Sequence, residues 1–352
     1  MVTPEWTGLA PHVPAPPASS THPILALAEF AVIDADDGRR SESLRLFSAQ
    51  EIEAELSTVA GSRLRNGDSH SYSSTAGRLE HLSSFFFEHV QRYGGLTLGS
   101  VLSRYIADEA PRLLMVRSVE TDRPDMLTAL ARLSYVQAAI AADSGRPGPA
   151  QSYYQHALKL ARRAGSSSDY AITLRALATL ADSVDQRALG LKLTGHAIEI
   201  AGHKAAPALR SYLHSGRALA LARAGDRPAA LRALTTALRI HQEDHQATSP
   251  FDTYGEASLH FQRALVLKAL GSGSDHLQAL VDSLRTRPVD HHKALAITHS
   301  QIAIALLHAG RWDHALPHAQ KAFTSARTVS SKPAHMNVAE LRQSMAALRR
   351  CV

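Results

Sequence analysis

The sequence predicts an all-α solenoid of about five stacked helix pairs with a C-terminal capping helix, preceded by a small helical N-terminal region. Two observations predict it: a small-residue pattern recurring about every forty residues, and an alanine- and leucine-rich composition with only 5% aromatics. In each copy a small residue is followed by a turn residue seven on, then by small residues at twelve and nineteen. The copies are Ala138, Gly145, Ala150, Ala157; Ala178, Asp185, Gly190, Ala197; Ala218, Gly225, Ala230, Ala237; Ala264, Gly271, His276, Ser283; and Ala303, Gly310, Ala315, Ala322. An apolar residue follows each copy: Leu158, Ile198, Leu238, Leu284, Phe323. One helix pair cannot bury its own apolar face, so this period signals stacking. Small residues are selected where paired helices approach most closely, because a large side chain there would force the backbones apart.

Residues 1–23 hold six prolines among small residues and are expected to be a disordered leader. An apolar segment at 24–33 and an acidic turn at 34–38 follow. Residues 43–60 have apolar positions at helical spacing, with Ser48 as N-cap and Glu51 three residues later. Residues 61–76 read as a loop, and two helices are expected at about 77–93 and 98–117, parted by Gly94-Gly95. The region 24–120 is thus a helical N-terminal region, and 121–352 the solenoid. First helices of the pairs are expected at 125–143, 169–183, 207–224, 253–270 and 291–309. Second helices are expected at 147–164, 186–203, 227–244, 275–286 and 312–328. Val338–Arg350 reads as the capping helix.

Charge divides with the architecture. Residues 1–120 carry 10 Lys/Arg against 15 Asp/Glu, and residues 121–352 carry 28 against 17. A basic array favours acidic partners, but its arginines form no dense run, so nucleic acid is admitted without being favoured. The lone cysteine, Cys351, excludes an intrachain disulfide and a cysteine-based zinc site, and fits a reducing cytoplasm. No secretory signal or membrane span is legible, and homodimerisation stays open.

The repeat positions resemble the tetratricopeptide repeat (TPR), with small residues at its eighth, twentieth and twenty-seventh places and a turn residue at its fifteenth. ARAGDRPAALRALTTALRI (222–240) and LHAGRWDHALPHAQKAF (307–323) carry the resemblance best. Successive eighth places lie 40, 40, 46 and 39 apart, against a usual unit of thirty-four, and His276 and Ser283 depart from the pattern in the fourth repeat. The resemblance implies a right-handed α-solenoid whose concave groove is lined by the second, fifth, ninth and twelfth places. Those places include Arg132, Tyr135, Arg175, Asp182, Tyr212, Phe261 and Lys268. Segments 89–114 and 138–165 also resemble the sensor portion of actinobacterial regulators that join a helix-turn-helix domain to a TPR array. That implies a regulatory role, in transcription or development, with a protein or peptide partner.

Other chemistry is weighed against this reading. His241/His245 and His314/His318 have i,i+4 spacing, but no third ligand accompanies either pair, and both are expected on solvated outer faces. His214, His260 and His299 each stand four residues before a repeat's first small position, and Arg217 and Arg263 follow the first two. This row serves either the packing of the stack or a secondary ligand site. No Walker A loop, GxGxxG or GxSxG is present, and no cofactor or metal is implied. The leading expectation is a cytoplasmic, non-enzymatic adaptor or sensor binding a peptide or protein segment. Arg132, Arg175 and Lys268 would meet acidic groups, with Tyr135, Tyr212 and Phe261 as apolar anchors. Two alternatives are direct DNA binding through a degenerate helix-turn-helix at about 43–67, and a metal-dependent enzyme on a helical scaffold.

Overall fold

Local chemistry sets where the helices start and stop. Proline stands in the first turn of several of them, where its missing N–H costs no intrahelical bond. The computed structural model describes residues 22–36, 38–39, 46–57, 74–115, 123–243 and 254–349, and among these there are fifteen helices and no strand. Four precede the array: α1 Pro23–Ala35, α2 Ala49–Ser57, α3 Ser74–Tyr93 and α4 Gly99–Met115. Five pairs follow. They are α5 Pro124–Asp143 with α6 Pro147–Ala164, α7 Ser167–Ser183 with α8 Arg187–Ala201, and α9 Pro207–Arg223 with α10 Arg227–His241. The last two are α11 Glu256–Ala269 with α12 Gly273–Arg285, and α13 His292–His308 with α14 Trp312–Ala326. Helix α15, Lys332–Arg349, closes the described chain.

Within each pair the two helices pack along their length, and the first helices of neighbouring pairs pack on one another from α5 through α7 and α9 to α11. The small positions lie at these contacts: Ala138, Ala157, Ala218, Ala230, Ala264, Ala303 and Ala322 are all fully buried. All five turn residues have left-handed backbone, from φ 60° at Asp185 to 84° at Gly225. Asp185 is the only non-glycine with positive φ among the described residues, so the second repeat keeps the turn without its glycine.

The fourth repeat departs from the pattern for a visible reason. His276 is buried and its Nδ1 lies 2.8 Å from the Ala264 carbonyl, while Ser283 donates to the Ala257 carbonyl at 2.7 Å. Polar side chains here satisfy the facing helix's backbone instead of merely yielding space. Ser134 and Ser211 do the same in the first and third pairs, donating to the Tyr153 and Ala237 carbonyls at 2.8 and 2.9 Å.

Several sequence expectations are corrected. The acidic turn at 34–38 begins later than expected, because Asp34 and Ala35 complete α1. Asp34 is 1% exposed; it accepts from the Tyr153 hydroxyl at 3.1 Å and pairs with Arg146, so burial against α6 extends the helix. The capping helix starts at Lys332 rather than Val338, with the Ser331 hydroxyl accepting from Ala334 N. Residues 74–76, expected in a loop, are the first turn of α3. At α2 the Glu51 amide donates to Ser48 Oγ at 3.4 Å, the cap expected of that pair. Residues 1–21 of the expected leader, and 43–45 and 58–67, lie outside the described residues, while Pro23, counted in the leader, is the first residue of α1.

The array closes on itself. Helix α13 packs on α3, and the segment entering α15 joins the segment between α3 and α4. Ser330 N donates to the Tyr93 carbonyl at 2.7 Å, and Leu96 N donates to the Ser330 carbonyl at 3.0 Å. Asp143 sits in the middle of this seam. Its carboxylate accepts from Gly95 N at 2.8 Å and from Ser331 Oγ at 2.9 Å, and it pairs with Lys293 Nζ at 2.6 Å. Gly94 is required here: a Cβ would stand 2.3 Å from the Ser330 carbonyl oxygen, and its φ is +92°. Arg92 pairs with Asp290 at 3.3 Å along the same seam. The fifth repeat is therefore joined to the helices ahead of the first.

Candidate functional site

Two of the cavities among the described residues lie along the inner face of the first helices. One, of about 770 Å³, is lined from α7, α9, α11, α13 and α15 by polar residues that include Arg175, Asp182, Arg223, Lys268, Gln262, Gln301 and Glu340. The other, of about 670 Å³, is lined by Phe87, Tyr135, Ile172, Leu209, Tyr212, Tyr254 and Arg287 among others. This second cavity draws residues from both sides of the seam, Phe87 and Tyr135 from one and His291 and Ala294 from the other, so it depends on the ring being shut.

Arg175 stands at the junction. Its guanidinium lies 5.2 Å from the Tyr212 ring centroid, a cation–π stack joining the polar cavity to the aromatic one. It bonds the Thr179 hydroxyl, yet its Nε is buried without a partner, and no carboxylate pairs with it among the described residues. The side chain is 7% exposed. Gly216 makes its slot, since a Cβ there would stand 1.6 Å from Arg175 Nε. Nearby, Asp182 pairs with Arg223. Burial, and then Arg175, lower the pKa of Arg223. The wall holds Arg175, Arg187, Arg223 and Lys268 against Asp182, Asp185 and Glu340, which leaves one excess positive charge.

The aromatic cavity is built by a tyrosine cluster. The Tyr212 and Tyr254 rings meet edge-on at 5.3 Å, and those of Tyr135 and Tyr154 lie 5.6 Å apart. Tyr254 shares a 3.0 Å hydrogen bond with Ser215. Burial pushes the Tyr254 phenol up to about 12, and raises Tyr135 and Tyr154 well above their ordinary value. Tyr254, Tyr135 and Tyr154 are thus neutral at physiological pH, and the cluster acts as a polar-tipped apolar wall.

The residues proposed from sequence divide by register. Arg175, Asp182 and Lys268 line the polar cavity, and Tyr135 and Tyr212 the aromatic one. Arg132 lines neither, because α3 packs on α5 and covers the first repeat's inner face. Its guanidinium is held there by Glu80 at 2.6 Å and Asp169 at 2.7 Å. Phe261 lines neither cavity and packs into the core of the last two repeats. The histidine–arginine row lies against the second helices. Arg217 donates to the Leu191 carbonyl, Arg263 pairs with Asp282 at 3.7 Å, and His260 pairs with Glu256 at 3.5 Å. His214 belongs to the same face, and burial lowers its pKa.

His299 is 7% exposed, with its Nδ1 2.9 Å from His318 Nδ1. His318 is therefore turned into the stack, contrary to the solvated position expected of it, while His314 is exposed. His241 lies edge-on to Tyr254 at 6.3 Å, and His245 is outside the described residues. No group of three or more His, Cys, Asp or Glu suited to a metal occurs among the described residues. No helix among them is long and apolar enough to cross a membrane.

The pair formed by buried His299 and half-buried His318 predicts acid sensitivity. Burial, then His318 and Lys321, push His299 down to about 4 from an ordinary 6.5. Between those values the unfolded chain binds the proton and the folded chain does not, so stability falls as pH drops through this window. Thermal melts from pH 7 to 4.5 should show a shallower decline for His299→Gln than for the unaltered chain. An identical slope in both would show that the pair does not contribute.

Sequence reasoning missed Gly216, Tyr254 and Arg287. The first was hidden because a helical glycine carries no mark of the arginine above it. The other two flank the long insertion between the third and fourth repeats and the loop after α12, where repeat register does not reach.

No family model matches the chain, and no curated protein matches it. Among solved structures, it is similar to a Rap protein complexed with Competence and Sporulation Factor. Identity is 15%, coverage 87% of this chain and 76% of that one, and the TM-score 0.49. It is also similar to the APC/C hetero-tetramer Cut9–Hcn1, at 13% identity and TM-score 0.43, covering 91% of this chain and 62% of that one. The helix pairs, left-handed turns and buried small positions carry the conclusion: this chain is an all-α solenoid of TPR-like helix pairs.

Proposed function

We propose that the chain is a regulatory adaptor or sensor that binds an extended peptide or protein segment along the two cavities. The observation that carries this reading is Arg175, buried without a carboxylate partner among the described residues where the polar and aromatic cavities meet. A desolvated cation beside an apolar pocket suits an acidic group with an apolar neighbour. Lys268 adds a second cation to the polar wall, while Tyr135 and Tyr212 supply apolar contact. The regulatory role is supported by the resemblance of segments 89–114 and 138–165 to regulator sensor arrays, and a cytoplasmic location by the lone cysteine.

The test is affinity selection of random octapeptides on the immobilised chain, followed by titration of the selected peptides. Arg175→Met should weaken them about tenfold, a charge-assisted contact of about 1.5–3 kcal/mol less what the methionine keeps. The melting temperature should stay close to the parent's. Equal affinity in parent and variant, or no selected peptide, would remove the reading.

A further inference from the structure

The aromatic cavity contains a second desolvated cation. Arg287 lies two residues past the end of α12 and donates through Nη2 to the Ala257 carbonyl and to Ser283 Oγ, both at 2.8 Å. Those bonds fix one edge of the guanidinium. Nε is buried without a partner, and Nη1 makes no hydrogen bond among the described residues. No carboxylate pairs with Arg287 among them either. Asp290 is engaged by Arg92, Glu88 by the same arginine at 3.5 Å, and Glu256 by His260. Burial lowers Arg287 to about 10, still charged at neutral pH. Glu88, Arg92 and Glu256 also line this cavity, but a cation with no carboxylate partner of its own among the described residues is costly to retain unless something outside the fold compensates it.

The surrounding wall says what that something looks like. Phe87, Tyr135, Tyr212 and Tyr254 enclose space of a size that takes a small ligand or one or two residues of a chain. Arginine presents a planar fork that matches a carboxylate. We infer that this cavity is a site for a carboxylate borne on an apolar or aromatic group, with the carboxylate on Arg287 and the apolar body among Phe87, Tyr135, Tyr212 and Tyr254. The inference rests on the groove-binding reading and names the chemistry of its aromatic end. Either a free peptide C-terminus or a small aromatic acid supplies that chemistry.

The experiment separates the two sources and the two readings. Random octapeptide pools with free or amidated C-termini are presented to the full chain, to Arg287→Met and to Arg287→Lys. In parallel, 3-phenylpropionate and its amide are titrated by calorimetry against the same proteins. Thermal melts confirm that each variant is folded.

A C-terminal site predicts several-fold preference for free over amidated peptides, lost in Arg287→Met and partly restored in Arg287→Lys. A small-acid site predicts binding of 3-phenylpropionate but not its amide, with the same dependence on Arg287. Peptides selected with no preference for a free terminus, together with no binding of the acid, overturn this inference and leave the groove reading standing. Binding of the acid with no peptide selected supports the inference and removes the groove reading. A preference unchanged in Arg287→Met overturns the placement of the site.

Discussion

Replacing Asp143 by alanine is expected to cost about 3–5 kcal/mol, the usual consequence of stranding a mostly buried partner charge. Lys293 Nζ would lose its 2.6 Å contact, and Gly95 N and Ser331 Oγ would lose their acceptor. The Asp143 side chain is 4% exposed and that of Lys293 18%, so water does not readily take the carboxylate's place. Because Gly95, Lys293 and Ser331 lie on elements far apart in sequence, the loss falls on the seam and not within one repeat. Urea unfolding reads the stability, and small-angle scattering reads whether the ring opens to a larger radius of gyration. Adding Lys293→Met should recover part of the loss by removing the stranded charge. A variant with unchanged stability and dimensions would show that the seam is held without Asp143, by the Ser330 backbone pairing, the Arg92–Asp290 pair and the packing of α13 on α3.

Gly216→Ala is expected to separate function from stability. A methyl group 1.6 Å from Arg175 Nε and 2.4 Å from its Cδ and Cζ cannot coexist with that rotamer. The arginine is the flexible partner and moves, losing its stack on Tyr212 and its bond to Thr179. The fold itself pays little. Alanine is favoured over glycine in a helix by about 1 kcal/mol, which offsets part of the disturbance. Stability should therefore stay within about 1 kcal/mol of the parent, while affinity for the selected peptides falls as far as in Arg175→Met. Full affinity in Gly216→Ala would mean that the observed Arg175 rotamer is not the binding one.

Much of the scaffold was legible in the chain. The small residues at Ala218, Ala230 and Ala237 must be small wherever two helices cross closely, and the turn glycines must reverse the chain. Both demands are local, so they leave a period that can be read directly. The structure adds local marks at the helix starts: Pro124, Pro147 and Pro207 stand in first turns, and Ser166 accepts from the Asp169 amide. The departures at His276 and Ser283 were visible, but not their purpose, because the carbonyls they satisfy belong to the facing helix. Arg132 shows the limit of register: its repeat position is equivalent to a groove position, and α3 covers it.

The sequence by itself determined that the chain is all-helical and that it repeats, since these depend on spacings within one or two turns; the inward face of each first helix was only what the resemblance to the tetratricopeptide repeat implied. Tertiary structure alone decided that the array closes through Asp143, that Arg132 is consumed in ion pairs with Glu80 and Asp169, and that Arg175 and Arg287 lack carboxylate partners among the described residues. The physical reason is summation: small rotations between successive pairs accumulate over the array. Where its end meets its beginning depends on every interface at once, and no local pattern encodes that sum.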